Sequence, residues 1–262
     1  MTPPSGDRPR PTFARHPAGW FAVAFSEELT AEPRPLHGFG RALVGARAAS
    51  GRAQVRAVSA LPTREQDGLI HVFHGPGAPW PLPRVDLAGW TPGRTVTWRG
   101  LRARPSAVVE RVVAVRGARR LGPPRCDGVC MTVQLEAPGA ALGLPGRIGD
   151  VHLRVELRGL GWARVRMDAP ASGLAAQQRI HVTPVDERTV DVRAVVHVRR
   201  TDASDAAALA RDFHAAFVRG FTRDLPIWDQ AGGSGGVRPA LVPLWRRWCA
   251  QFHPGTAASL RV

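Results

Sequence analysis

The chain has 262 residues and a mass of 28.2 kDa, and 44% of its residues are hydrophobic, so it is long enough to bury a substantial core. Its formal net charge is +15, but all 36 basic residues are arginine, and lysine, asparagine and tyrosine do not occur. The missing residues have A/T-rich codons, so a G+C-rich genome explains the arginine excess. The arginines are spread over every segment rather than gathered with aromatic residues, and we therefore expect no nucleic-acid binding.

The first 17 residues are rich in proline and contain no apolar stretch, so we expect a disordered lead-in rather than a secretory signal. No later stretch reaches the length of a membrane span, and the expected location is cytoplasmic. Cys126, Cys130 and Cys249 form no even set for disulfides, and we expect free thiols.

Short alternating runs follow, among them FAVAF, ALVGAR and GLIHVF, and they predict a small antiparallel β domain over residues 18–83. A glycine- and proline-rich stretch, GPGAPWPLPRVDLAGW, marks its end. Residues 84–262 then contain six further runs that alternate apolar residues with arginine or aspartate. This period of two predicts a larger antiparallel sheet with one buried face and one wet face.

Residues 201–226 predict one long helix packed on that sheet, with Pro226 limiting its continuation. Phe213, Phe217 and Phe221 recur every four residues and form one aromatic stripe, and Asp224 lies on about the same side. The predicted fold is therefore α+β: a small β domain followed by a helix-grip, START-like domain. The four residues are candidate ligand-binding residues. The alternatives are core packing for the stripe and an ion pair with a neighbouring arginine for Asp224.

Several segments resemble one known family, and they occur in the family's order. They are GWFAVAFSEEL (19–29), PLHGFGRALVGARAASGR (35–52), EQDGLIHVFHGPG (65–77), TPVDERTVDVRAVVHVRR (183–200) and RDLPIWDQ (223–230). They resemble Rieske non-haem iron oxygenase α subunits, most closely the steroid-acting branch of 3-ketosteroid 9α-hydroxylase and cholesterol 7-desaturase types. The resemblance implies a helix-grip catalytic domain with a deep apolar substrate cavity.

The resemblance also implies a [2Fe–2S] cluster held by a Cys-x-His and a Cys-x-x-His pair, but this chain has neither pair. Residues 53–60 and 61–69 match the segments that flank the cluster-binding part in the family, and in this chain they follow one another directly. For the mononuclear iron, residues 108–122 match the family's helical segment: Glu110 is kept, Arg111 replaces an asparagine, and Gly117 and Gly122 replace the two histidines. Asp224 matches the remaining carboxylate. We therefore predict a degenerate member with no metal centre and no cofactor.

Two hypotheses of function follow. The first is a non-catalytic protein that binds a steroid-like or polycyclic apolar small molecule, or that joins a homo- or hetero-oligomer with an intact Rieske oxygenase. The alternative is a metal-independent isomerase, cyclase or dehydratase that uses the former substrate pocket, with Asp224, His181 or His214 as acid or base. His181 and His197 fall in strands, where a period of two is expected to place at least some such residues on the wet face, and His214 is expected at a surface or a rim.

Overall fold

Antiparallel sheets make up most of the protein. The computed structural model describes residues 16–115, 117–144, 148–199, 206–230 and 242–253, except for the side chains of residues 206, 209, 224–230 and 242. The predicted lead-in lies almost wholly outside the described residues. The α+β class predicted from the sequence is confirmed. In the described part of the chain, no helix is both long enough and apolar enough to cross a membrane.

Two three-stranded sheets form the N-terminal part of the fold, and we refer to them as the N-terminal sheets. The first has the order β1-β6-β5, and the second has the order β2-β3-β4. The strands are β1 Gly19–Phe25, β2 Arg34–Gly38, β3 Arg41–Arg47, β4 Ala53–Arg56, β5 Thr63–Gln66 and β6 Leu69–His74. Phe21, Leu36, Leu43 and Ile70 are buried between them. The alternation in the sequence therefore supplies the shared core of these two sheets.

Two hairpins of these sheets are closed by two-residue turns with positive φ at both positions. Asp67 and Gly68 have φ of 53° and 80°, and Phe39 and Gly40 have φ of 59° and 69°. Asp-Gly is a preferred pair for such a turn because both residues tolerate the left-handed region. Phenylalanine is not a preferred residue for this conformation. The Phe39 ring stacks on the His74 ring with centroids 4.3 Å apart, and the Phe39 backbone N–H donates to the Pro184 carbonyl.

The remaining strands form one sheet of eight with the order β7-β14-β13-β12-β11-β10-β8, and β9 also pairs with β10. They are β7 Arg94–Arg102, β8 Arg119–Arg120, β9 Arg125–Asp127, β10 Cys130–Pro138, β11 Asp150–Arg158, β12 Trp162–Ala169, β13 Leu174–Pro184 and β14 Thr189–Val198. Helix α1, Pro105–Val113, lies against β11, β12 and β13, and helix α2, Ala206–Gln230, lies against β7 and β14. Helix α3, Val242–Ala250, packs Trp245 and Trp248 into the same core.

Helix α2 continues past Pro226 to Gln230, so the prediction that Pro226 limits the helix was wrong. A proline removes one backbone N–H and costs about 3 kcal/mol inside a helix. The N–H groups of the following residues remain available, and the helix resumes its hydrogen bonding beyond the proline.

Strands β13 and β14 are buried on both faces, which corrects the prediction of a wet outer face at this position. Every residue of β13 is buried, and so is every residue of β14 except Thr189. The outer face carries polar side chains nonetheless: Gln177, Arg179, His181, Thr183, Asp191, Arg193 and His197. The first N-terminal sheet covers them, because β1 packs against β13. The alternating sequence pattern is the same whether the polar face of a strand contacts water or packs against a second layer of polar groups.

Backbone carbonyls and carboxylates balance the two buried arginines of this face. The Arg179 guanidinium donates to the Asp67 carbonyl at 3.0 Å and lies 3.7 Å from the Asp67 carboxylate. The Arg193 guanidinium donates to the Ala22 carbonyl at 3.0 Å and lies 3.7 Å from the Asp191 carboxylate. A bulge in β1 between Ala22 and Ala24 interrupts its pairing with β6 at this point. A charge buried without such partners would cost several kcal/mol.

Two buried histidines meet in the same layer. His71 Nε2 of β6 lies 3.4 Å from His181 Nδ1 of β13, and the two side chains are almost completely buried. Burial, together with the positive charge of Arg179, lowers the pKa of His71 to about 3. Burial and the nearby His71 lower the pKa of His181 well below its ordinary value. Both imidazoles are therefore neutral at neutral pH, which avoids adding charge to two arginines.

We expect acid to destabilise the protein through His71 and His181. Their pKa values are depressed in the folded protein and return to about 6.5 on unfolding. Below pH 6.5 the unfolded chain therefore binds more protons, and the free energy of unfolding falls by about 1.4 kcal/mol per pH unit for each histidine until the folded pKa is reached. Urea unfolding between neutral pH and about pH 4 should show this slope, and His71→Gln should reduce it. The exposed His37→Gln is the control, and equal slopes for wild type and His71→Gln would contradict the assignment.

Candidate functional site

A cavity lies between helix α1, helix α2 and the inner face of the large sheet, and it encloses about 150 Å³. The sheet contributes its floor, the two helices its sides, and the turn after β10 one end. The lining residues are Leu153, Val165, Met167, Gln178 and Ile180 from the sheet, Val108, Arg111, Val112, Ala114 and Val115 from α1 and its end, Ala216, Phe217, Gly220, Phe221 and Arg223 from α2, and Ala141 and Leu142.

Phe217 and Phe221 form the aromatic wall of the cavity, as one face of α2 places residues four apart above each other. Trp98 of β7 holds both rings: its ring stacks on Phe221 at 4.1 Å between centroids and meets Phe217 edge-on at 6.1 Å. Phe213, one turn earlier, is buried in the core and does not line the cavity. Asp224 lies in α2, but its side chain is outside the described residues. The structure thus brings two of the four predicted residues to one cavity.

Gly220 lies in the interior of α2 and faces the same space. A Cβ added at this position would meet no atom within 4 Å, so no neighbour requires a glycine there. Glycine inside a helix costs about 1 kcal/mol relative to alanine. In contrast, a Cβ at Gly161 would overlap the Trp20 carbonyl and the Phe21 ring, which is a packing reason for glycine. Gly220 therefore widens a free volume at a cost to helix stability.

The polar groups of the cavity are one amide and two guanidinium groups. Gln178 is 6% exposed and contributes to the floor, Arg111 is half-buried on α1, and Arg223 is exposed on α2. Among the described residues that line the cavity there is no histidine, cysteine, aspartate or glutamate. Guanidinium groups have no acceptor lone pair to offer a metal.

The family's mononuclear iron does not fit these residues. Helix α1 ends at Val113, so Gly117 and Gly122, which replace the iron-binding histidines, lie outside it. Gly117 has a φ of 72°, and a Cβ there would lie 3.2 Å from the Ala141 Cβ. Glu110, the residue that matches the family, does not line the cavity, and its charge adds to the effect of burial in raising the pKa of Cys249 to about 12.

The Rieske cluster does not fit either. Strands β4 and β5 are joined directly by a tight turn, in which the Ala57 N–H donates to the Ser59 carbonyl and Arg56 bridges to Ala60. The cysteines lie elsewhere, in β9, β10 and α3, and all three are free thiols. In the parts of the chain that the structure describes, no group of three or more histidine, cysteine, aspartate or glutamate side chains is placed to hold a metal ion.

The histidines suggested as acid or base do not lie in the cavity. His181 is buried under the first N-terminal sheet, on the opposite face of β13 from Ile180, and His214 is absent from the cavity lining. The prediction of a wet position for His181 and His197 was wrong, as both are buried at 1% and 4% exposure. Sequence reasoning missed Gly220 as a site residue, although a glycine in the middle of a helical pattern is a usable signal.

Comparison with known proteins agrees with the architecture. Residues 152–253 match the family model of the 3-ketosteroid 9alpha-hydroxylase C-terminal domain. Dicamba monooxygenase bound to 3,6 dichlorosalicylic acid has a TM-score of 0.63 at 12% identity, covering 95% of this chain and 99% of that one. The terminal oxygenase of carbazole 1,9a-dioxygenase from Novosphingobium sp. KA1 has a TM-score of 0.54 at 14% identity, covering 94% of this chain and 95% of that one. Pseudomonas putida CBB5 NdmA with caffeine has a TM-score of 0.61 at 12% identity, covering 90% of each chain. No curated protein matches.

The resemblance predicted from the sequence is thereby confirmed. Residues 152–253 are similar to the 3-ketosteroid 9alpha-hydroxylase C-terminal domain, and the fold resembles that of Rieske-type oxygenase terminal subunits. Because the solved structures are only 12–14% identical to this chain, the likeness to them shows the fold alone.

We expect Gly220→Ala to stabilise the protein by about 0.5–1 kcal/mol, because alanine restricts the unfolded chain and its Cβ projects into free space. Urea unfolding at neutral pH measures the difference. Gly161→Ala is the matched comparison, and it should destabilise by more than Gly220→Ala stabilises, because its Cβ has no room. A destabilised Gly220→Ala would show that the space beside this residue is not free.

Proposed function

We propose that this protein is a non-catalytic member of the oxygenase family that binds an apolar small molecule in the cavity between α1, α2 and the sheet. The proposal rests on one observation at α2: the rings of Phe217 and Phe221 line the cavity, and Gly220 leaves free volume beside them. The walls and floor of the cavity are almost entirely apolar, as in sites that bury most of a ligand's surface. None of the described lining residues is a histidine, cysteine, aspartate or glutamate, which argues against oxygen activation there.

The volume of the cavity favours a ligand with one aromatic ring. An apolar cavity of about 150 Å³ is the size that holds benzene, whereas sites for larger ligands enclose about 300–1,000 Å³. A four-ring steroid is larger than this volume, so it would have to extend out of the open side of the cavity or displace Phe217 and Phe221 from their contacts with Trp98. The related dicamba monooxygenase binds 3,6 dichlorosalicylic acid, a one-ring compound. We therefore propose one-ring aromatic ligands ahead of the steroids that the family resemblance implies.

The metal-independent enzyme is the weaker hypothesis. Of its three candidate acids and bases, His181 lies on the other side of the sheet and His214 does not line the cavity. Catalysis would require a proton donor or acceptor within about 3 Å of the ligand. The described lining offers only the Gln178 amide and two guanidinium groups.

Ligand binding should depend on the volume beside Gly220. A compound that binds only the folded state stabilises it by about 2.7 kcal/mol at a hundredfold excess over Kd. We expect some one-ring aromatics, including 3,6-dichlorosalicylic acid, to raise the melting temperature of the wild type. Gly220→Leu should abolish this shift because its side chain occupies the cavity, and Gly220→Ala should retain most of it.

Two results would contradict the proposal. In one, no compound of a panel of one-ring aromatics, polycycles and steroids shifts the melting temperature of the wild type. In the other, shifts occur but are the same for Gly220→Leu, which would place the ligand elsewhere. If only steroids raise the melting temperature, and if the rise is larger in Phe217→Ala, the ligand would bind in this cavity but would be a steroid rather than a one-ring aromatic compound.

Iron analysis tests the loss of the metal groups independently. Because neither donor set fits, we expect the purified protein to contain neither stoichiometric iron nor acid-labile sulfide after aerobic or anaerobic preparation, and to show no visible absorption of a Rieske centre. Asp224→Ala should leave the metal content unchanged. Iron bound in proportion to protein, and lost in Asp224→Ala, would show that a new site has formed around that carboxylate.

A further inference from the structure

Gln178 is a polar residue on an apolar surface. Side chains alternate between the two faces of β13, and the positions on the inner face, toward the helices, are Leu174, Ala176, Gln178, Ile180 and Val182. The residues paired directly with Gln178 on the two neighbouring strands are Val165 and Val196, and both are buried. Gln178 is itself buried and lines the cavity. An amide group is therefore placed on the apolar floor.

Within the described part of the chain, the Gln178 amide has no hydrogen-bond partner. Its neighbours Val165, Val196 and Ile180 carry hydrocarbon side chains, and the backbone groups of these strands pair with each other in the sheet. The other polar side chains of the described lining, Arg111 and Arg223, belong to the helices and take part in interactions of their own. A buried amide without a hydrogen bond is unfavourable, and a ligand in the cavity can supply the missing partner.

The chemistry of an amide and the size of the cavity favour a hydroxyl group as that partner. A glutamine side chain offers an acceptor oxygen and an NH₂ donor, and a hydroxyl is the smallest group that both donates and accepts. A phenolic hydroxyl has a pKa of about 10, so it is uncharged at neutral pH. An anion at this position would lose its hydration beside sheet residues that carry no charge. A volume of about 150 Å³ leaves little room beyond one ring and such a group.

We propose that the ligand is a one-ring phenol, with its ring against Phe217 and Phe221 and its hydroxyl group hydrogen-bonded to the Gln178 amide on the floor of the cavity. This inference rests on the proposed function, because it concerns the same cavity. The apolar walls and the free volume beside Gly220 admit the ring, and Gln178 selects the polar group that the ring carries.

The test compares ligands that share a shape and differ in one group. Phenol and toluene form one pair, and 3-methylphenol and 1,3-dimethylbenzene form a slightly larger pair. Calorimetric titration at neutral pH gives the ratio of the affinity for each phenol to the affinity for its hydrocarbon. Gln178→Met keeps the length of the side chain and removes the amide. It should lower this ratio at least about tenfold, because a buried hydroxyl then loses its partner, while the hydrocarbons bind as tightly as before.

A second variant and a matched control complete the experiment. Gln178→Leu also removes the amide, with a side chain of different shape, and it should lower the ratio in the same way. Gln177→Met changes the neighbouring glutamine, which is buried on the opposite face of β13 and does not line the cavity. This control should keep the ratio of the wild type. A purely structural role of Gln178 would change the affinities for phenol and hydrocarbon together and leave their ratio unaltered.

The outcomes separate this inference from the proposed function. If the ligands bind, Gly220→Leu abolishes binding, and the ratio is the same in the wild type, Gln178→Met and Gln178→Leu, the cavity is the binding site but the role of Gln178 is refuted. If only the hydrocarbons bind the wild type, the phenol is refuted and the apolar site remains. If neither pair binds, or if binding is unchanged in Gly220→Leu, both the inference and the proposed function fail.

Discussion

The double burial of β13 and β14 is the constraint on which the rest of the fold depends. Their outer face carries two arginines and two histidines, which become stable only when Asp67, Asp191 and backbone carbonyls of the N-terminal sheets balance them. Removing one partner of such a buried ion pair costs about 3–5 kcal/mol. The first N-terminal sheet therefore supplies the Asp67 carboxylate and the Asp67 and Ala22 carbonyls that Arg179 and Arg193 need while they are buried, and the inner face of these strands is left to face the helices.

That fixed inner face determines where the cavity forms. Gln178 and Ile180 of β13 lie on the floor, and α2 is held above them by the contacts of Trp98 with Phe217 and Phe221. The aromatic stripe thus has two roles. One side of the rings packs against the sheet edge, as in any helix laid on a sheet, and the other side borders free volume. Phe213 is packed in the core, whereas Phe217 and Phe221, on the next two turns, also border the cavity.

Local patterns predicted much of this fold, and the errors at strands β13 and β14 have one physical origin. Period-two alternation predicted the strands, and the repeat of four predicted the face of α2, because both depend on the chain's own geometry. Alternation at Arg179 and His181 could not reveal that a second sheet replaces water, since a paired polar layer and a wet face have the same sequence. That Arg111 of α1 and Phe217 of α2 line one cavity likewise depends on how α1 packs across the sheet, which no local spacing encodes.

The cavity does not depend on metal ligands, because the two features have different origins. Metal binding requires a few donor side chains, and Gly117 and Gly122, the positions that the resemblance aligns with iron-binding histidines, lie outside the strands of the sheet. Free volume arises from the separation of α2 from the sheet. Glycine inside α2 costs about 1 kcal/mol relative to alanine, and no neighbouring atom within 4 Å requires it, so position 220 leaves room in the cavity lining that a larger side chain would fill.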